Sequence, residues 1–210
     1  MILTFLWAKL SRNEATLERL SLSPEALMAD LKGKTVALIG NAKSLSQGQF
    51  GSQIDAADIV IRLNAAPMPS AASHGTKTDW IALSTPIPAD ILKARNPTRL
   101  LWMTRKRKRL RYALATLPGF YLNRRGDVMA LRAKIDVPPT TGLMMIDLLS
   151  RSEATRITLY GFDFFASLSL SGSRTADQVP HDFNAERGFV EALLTRDPRF
   201  SLMKPTVSAR

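Results

Sequence analysis

Val36 to Asn64 reads VALIGNAKSLSQGQFGSQIDAADIVIRLN, two β-like apolar runs joined by a polar loop. The first run, Val36-Ala37-Leu38-Ile39, stops at Gly40-Asn41. The second, Ile59-Val60-Ile61, continues through Arg62-Leu63 to Asn64. A strand buried in a parallel sheet reads as an unbroken apolar run, and ligand sites in open α/β sheets lie beyond the strands' carboxyl ends. Both asparagines then stand at the rim of one crevice. Asn offers a donor and an acceptor without charge, which suits ribose hydroxyls or a pyrimidine base beside a phosphate. The alternative is a pair of turn asparagines that merely end two strands.

Outward from this stretch the pattern alternates. Residues 13–22 read helical, and Ser23-Pro24-Glu25 starts a second helix closed by Gly33: a hydroxyl cap, proline at the first helical position, an acid in the first turn. Strands are predicted at 35–39, 58–63, 80–83, 100–103 and 157–160, with a helical turn around Ser44 to Phe50. The basic run Arg105-Lys106-Arg107-Lys108-Arg109-Leu110-Arg111 continues with helical spacing into Tyr112, Ala113 and Leu114, until Pro118-Gly119 ends it. Helices are also predicted at 126–134, at Leu143 to Ser150 behind a Thr cap, and at about 184–195. Strands alternating with helices imply a three-layer, Rossmann-like α/β fold with a mainly parallel sheet. An N-terminal helical segment, 1–33, precedes the main domain, 34–210.

Composition narrows the chemistry. Of 210 residues, 45% are hydrophobic and 22% charged, enough for a sizeable core. There is no cysteine and there are only two histidines, so disulfides, thiolate metal sites and multi-histidine metal centres are excluded. The reducing cytoplasm is the expected compartment. A formal charge of +11 calls for an anionic partner: nucleic acid, an anionic membrane surface or a nucleotide-sugar. The opening MILTFLWAKLSR is too short an apolar run to span a bilayer, which takes about 20 residues. Its Ile2, Leu3, Phe5, Leu6, Trp7 and Leu10 can form one face of an amphipathic helix, packed on the domain or laid on a membrane interface beside the basic run.

Gly40, Gly48 and Gly51 do not match a dinucleotide fingerprint, and no G-K-[S/T] follows a strand, so NAD and ATP readings lose their support. Pro139-Thr140-Thr141-Gly142 opens a helix with hydroxyls and free backbone N–H groups. That is a seat for a phosphate or carboxylate, or an ordinary N-cap. His181 sits at a polar loop-to-helix junction, and its unperturbed pKa suits a general base at neutral pH; His74 reads as structural. No D-x-D follows a strand, so a metal-bridged diphosphate is not supported.

At these residues the chain resembles the sialyltransferases of glycosyltransferase family 29. Val36 through Ile39-Gly40-Asn41, Gly51, Ile54-Asp55, Asp58, Val60 and Arg62 to Asn64 and Ala66-Pro67 looks like the family's long sialylmotif, with Gly75-Thr76-Lys77-Thr78 as its closing segment. Pro139-Thr140-Thr141-Gly142 with Leu159-Tyr160-Gly161-Phe162 is similar to the small motif. His181 and Glu186 match the very small one. The resemblance implies a GT-A-like, metal-independent, inverting transferase without cofactor, whose donor is a CMP-activated acid sugar, sialic acid or Kdo-like. It implies that Asn41 and Asn64, with Gly40 and Ser44, bind the nucleotide, that Thr140, Thr141 and Gly142 hold donor groups, and that His181 deprotonates the acceptor. Glu186 would be a support. The family's two motif cysteines fall at Val36 and Ala154, and no stretch of this sequence is expected to serve as its membrane anchor. The histidine motif between the small and very small motifs has no match in Ala166 to Val179, where Arg174 is the candidate substitute.

The expected acceptor is a cell-surface glycan or its glycolipid precursor, reached from the cytoplasm with 105–111 and the N-terminus on the inner membrane face. The rival reading is an inactive nucleotide- or nucleic-acid-binding protein on the same scaffold. Against nucleic acid, the basic run has no interleaved aromatic platform.

Overall fold

The structure is a computed structural model that describes residues 1–65, 67–163 and 182–205. Seven strands form one sheet: β1 (Thr35–Ile39), β2 (Ile59–Leu63), β3 (Trp80–Leu83), β4 (Arg99–Trp102), β5 (Phe120–Leu122), β6 (Arg156–Tyr160) and β7 (Phe200–Met203). Their order is β5-β4-β3-β2-β1-β6-β7, and every pairing is parallel. The five predicted strands are β1, β2, β3, β4 and β6, while β5 and β7 have no counterpart among them.

Ten helices accompany the strands among the described residues: α1 (Ile2–Ser11), α2 (Glu14–Glu18), α3 (Pro24–Leu31), α4 (Gly51–Asp55), α5 (Ala71–His74), α6 (Ala89–Arg95), α7 (Tyr112–Ala115), α8 (Arg125–Ile135), α9 (Thr141–Ser150) and α10 (Phe183–Arg196). Successive strand residues point to opposite faces. Val36 and Leu38 join Ile59, Ile61 and Leu63 in a cluster covered by α3, α8, α9 and α10. On the other face, Ala37, Ile39, Val60 and Tyr160 meet Leu45 and Ile54. Farther along that face, Ile81, Leu83, Leu100 and Trp102 meet Phe5, Ala8 and Leu17 from the first two helices. Helices on both faces of a parallel sheet make three layers. Val36 and Ala154 are both buried in the first cluster, so ordinary apolar packing fills these positions.

Three local expectations are corrected. The helix predicted over 13–22 is only α2, because Asn13 caps at Thr16 N and the helical turns run out at Glu18. In α1 the apolar residues do not share one face: Phe5 is buried, whereas Ile2, Leu3, Leu6, Trp7 and Leu10 are exposed. The basic run is not a helix. Arg107–Arg109 form a single 3-10 turn, and α7 starts only at Tyr112. Arg107 is buried there, and its guanidinium donates to Glu14 Oε2 (2.8 Å), Thr104 O (2.8 Å) and Asn123 O (2.7 Å). A side-chain fork holding loop carbonyls replaces the helical ladder.

Candidate functional site

From β1 the chain builds strands outward to β5, then returns to place β6 on the other side of β1. The order therefore reverses between β1 and β6. In sheets of this kind such a reversal marks the carboxyl-edge crevice where ligands bind. Just beyond the two strands the backbones nearly touch. Gly40 N donates to Tyr160 O (2.7 Å), and Ala42 N donates to Gly161 O (3.2 Å). A Cβ on Gly40 would collide with the Gly161 carbonyl, and Gly161 itself has φ 68°. Ser44, on the loop after β1, donates to Asp163 Oδ2 (3.0 Å) on the loop after β6.

Asn41 follows β1 and Asn64 follows β2, on adjacent parallel strands, so both lie at the carboxyl edge. They differ in backbone. Asn64 has φ 54°, the left-handed region that Asn tolerates better than most residues, while Asn41 is not in that region. Asn64 thus has a turn role as well as a place at the rim. Its N–H donates to Ala82 O (2.8 Å), and its Oδ1 accepts from Ser84 N (3.3 Å). Ser84, the residue after β3, shares a 2.6 Å hydroxyl hydrogen bond with Thr141 Oγ1. Ser84 was not among the residues singled out from sequence, although the rule that selected the asparagines, the first polar residue after a parallel strand, also selects it.

Thr140 is the N-cap of α9: its Oγ1 accepts from Leu143 N (3.1 Å). The same hydroxyl donates to Glu186 Oε2 (2.7 Å), and Thr140 N donates to Glu186 Oε1 (2.7 Å). Both of Thr140's protons are therefore engaged by a carboxylate from α10. Glu186 is 4% exposed, and its pKa is pushed up to about 7. Burial is the main cause; the two hydrogen bonds from Thr140 oppose it, and nearby Asp182 adds to it. The next two amides, of Thr141 and Gly142, have no acceptor among the described residues, as expected for the first turn of a helix. A Cβ on Gly142 would stand 2.8 Å from Phe162 Cε1, so its missing side chain makes room for that ring. Phe162 also lies against Gly40, and so joins the β1 side of the crevice to the α9 side.

Beneath this rim a polar frame fixes the segment after α5. Arg62 is wholly buried and donates to His74 O (2.9 Å), Lys77 O (2.7 Å) and Thr78 Oγ1 (3.0 Å). Its pKa falls to about 10, through burial and then the charge of Arg95. His74 is buried with Nδ1 2.7 Å from Ser73 Oγ, and burial followed by the Arg62 charge lowers its pKa. Asp55 accepts from Thr76 N, Thr76 Oγ1 and Lys77 N. Burial would raise the Asp55 pKa, but those bonds and Arg62 outweigh it and draw the value down.

The fold thus gathers Gly40, Asn41, Ser44, Asn64, Thr140, Thr141, Gly142 and Glu186 along one edge. His181 and Arg174 lie outside the described residues. A cleft of about 330 Å³ adjoins the crevice on the β6–β7 side, lined in part by Ser44, Phe162, Asp163, Arg187, Glu191 and Lys204. Among the described residues, Ser44 is the predicted donor-binding residue in its lining. Among the described residues no three His, Cys, Asp or Glu side chains converge, and no helix is long and apolar enough to cross a membrane.

Comparison with known proteins bears on the family and the fold. The sequence profile of glycosyltransferase family 29 (sialyltransferase) matches residues 3–117. A mammalian sialyltransferase is similar over 90% of this chain and 76% of its own, with TM-score 0.70 and 18% identity. The crystal structure of a mammalian sialyltransferase with Gal-beta-1-3GalNAc-ortho-nitrophenol gives TM-score 0.68 and 18% identity, over 90% of this chain and 77% of that one. The sialyltransferase CstII from Campylobacter jejuni, in complex with the substrate analogue CMP-3FNeuAc, gives TM-score 0.58 and 14% identity, over 82% and 83%. The architecture is therefore GT-A-like.

Proposed function

The chain belongs to glycosyltransferase family 29, the sialyltransferases, and from that premise we propose that it moves an acid sugar from a CMP-sugar to a hydroxyl of a glycan acceptor. It is a CMP-sugar-dependent glycosyltransferase; sialic acid or a Kdo-like acid is the group transferred, with inversion. The observation that carries this reading is the start of α9. There the open amides of Thr141 and Gly142, steadied by the Glu186–Thr140 pair, adjoin Ser84 and Asn64 at the crevice.

In the proposed reaction the acceptor oxygen attacks the anomeric carbon. The bond from that carbon to the phosphate oxygen breaks, and CMP departs with the electron pair. His181 takes the acceptor proton. It directly precedes Asp182, the N-cap of the helix whose Glu186 grips Thr140. The leaving group is a monophosphate, and fixed amide dipoles meet its growing charge without a divalent clamp. Asn41 and Asn64 would read the nucleoside. Thr140 is a positioning residue in this scheme, since Glu186 already holds both its protons. The cysteine-free chain suits the cytoplasm, where we place the reaction on a glycan precursor.

The test is hydrolysis and transfer by purified protein with CMP-sialic acid and with CMP-Kdo, with and without EDTA. His181→Ala is expected to keep CMP affinity while turnover falls by at least ~100-fold, the usual scale for a lost general base. Unchanged turnover would remove His181 from the role. CMP binding with no turnover on either donor would leave an inactive nucleotide-binding scaffold instead.

A further inference from the structure

Two stretches about a hundred residues apart in sequence are neighbours in the fold. Lys9 Nζ of α1 donates to Leu110 O (2.6 Å) in the basic segment, and the Phe5 ring lies 5.4 Å from that of Tyr112. Phe5 and Ala8 are the side of α1 that packs inward. The opposite side is also apolar: Leu6 is 50% exposed, Trp7 57%, Leu3 77% and Leu10 86%. Residues three and four apart are neighbours on a helix, so these four form one continuous outward stripe. A lone exposed leucine is ordinary, whereas a stripe of this kind marks an interaction surface.

The stripe has a basic border, and the neighbouring carboxylate, Glu14, is paired with Arg107. Arg105, Lys106, Lys108, Arg109 and Arg111 are exposed, and neither α1 nor residues 105–112 contains an acid. An open cleft of about 480 Å³ runs between the two stretches, with Leu6, Lys9, Pro86, Lys108 and Arg111 in its walls. We infer that α1 and the basic turn together form a docking surface for an anionic lipid bilayer. Leu3, Leu6, Trp7 and Leu10 enter the acyl boundary, and Lys108, Arg109 and Arg111 lie over the headgroups. The helix is about 15 Å long, half the hydrocarbon thickness, so it lies in the plane of the interface. A second copy fits the surface less well, because pairing the stripes would bring two sets of cations together.

The surface deepens the transferase reading and rests on it for its purpose. The loop after β3 carries Ser84 at the crevice and Pro86 at the basic cleft, so docking and transfer share one edge of the molecule. The acceptor class that follows is a glycan carried on a membrane lipid.

Flotation with phosphatidylcholine vesicles, with and without about 30 mol% phosphatidylglycerol, tests the surface. Wild type is expected to float with the anionic vesicles and to be released by salt. Trp80 and Trp102 are buried, so a blue shift of emission on vesicle addition reports Trp7, and Trp7→Phe is expected to float without it. Replacing Lys108, Arg109 and Arg111 by Ser is expected to weaken binding on the order of 100-fold. Replacing Leu3, Trp7 and Leu10 by Ser is expected to abolish it. Both triple variants are expected to hydrolyse free CMP-sugar like wild type. No flotation with anionic vesicles, or flotation indifferent to both triple variants, overturns the inference. So does a dimer in sedimentation that the apolar triple variant dissolves while no vesicle binding is seen. Loss of donor hydrolysis in wild type would sink the transferase reading and leave the flotation result standing.

Discussion

At φ 54° the backbone of Asn64 sits where most L residues lose about 1–2 kcal/mol, and its side chain faces a serine amide beside the crevice. The sequence left two readings of this asparagine, turn residue or ligand residue, and a simple alanine variant would confuse them. Asn64→Gly separates them, since glycine accepts the left-handed backbone while the side chain and its hydrogen bond from Ser84 N are lost. The variant is expected to stay within about 1 kcal/mol of wild-type stability while CMP affinity falls about tenfold, the worth of roughly one good polar contact. Titration calorimetry with CMP beside a thermal melt measures both. Wild-type affinity in the glycine variant would leave Asn64 with its turn role alone. This residue was legible because it ends an unbroken apolar run. Ser84 obeys the same rule behind Leu83, but serine is too common after strands for its position to stand out. That Thr140 is engaged by Glu186 was not legible, because the partners are 46 residues apart and meet only through the packing of two helices.

Among the elements, the start of α9 depends on α10, and that dependence titrates. Glu186 has its folded pKa raised from 4.5 to about 7. Between those values the folded state binds the proton more strongly than the unfolded state, so this group's contribution makes stability fall as pH rises from about 4.5 to 7. The span corresponds to at most about 3 kcal/mol. Glu186→Gln keeps a carbonyl for Thr140 N–H and turns an amide toward Thr140 Oγ1, imitating the protonated form. Urea denaturation at steps from pH 5 to 8 is expected to show wild type losing stability against the variant, with the two closest at the acid end. Parallel profiles would mean that Glu186 is ionised throughout. The elements themselves were unevenly legible. β1 to β4 and β6 read clearly because strands inside a parallel sheet are apolar on both faces. β5 and β7 form the two outer edges: β5 is only three residues long, and the apolar run of β7 is interrupted by exposed Ser201. α6 buries no residue, so it has no stripe to read. The basic run failed for a related reason: its helical spacing was one of charges, and Arg107 turned inward to hold Thr104 and Asn123 carbonyls instead.

Across the whole molecule, one sheet has two wings, β2 to β5 on one side of β1 and β6 to β7 on the other, and strand order reverses at their junction. A parallel sheet was legible from alternating strands and helices, but the point where strand order reverses was not. It depends on which side of β1 the sixth strand takes, and no local pattern encodes that choice. The junction leaves a mark that can be tested. Gly40 and Gly161 meet backbone to backbone, and a methyl group on Gly40 would strike the Gly161 carbonyl, which no rotamer can move aside. At Gly142 the added methyl would meet the Phe162 ring, a side chain able to shift. Gly40→Ala is therefore expected to cost about 3 kcal/mol, near the upper end for overpacking, and Gly142→Ala about 1 kcal/mol. For a chain of this size those costs lower the melting temperature by about 6–12 °C and 2–4 °C respectively. Because the same contact sets the separation of the two loops, Gly40→Ala is also expected to weaken CMP binding under conditions where the variant remains folded. Equal melting temperatures for the two variants, or a Gly40→Ala protein that binds CMP like wild type, would show that the wings are not held together at this point.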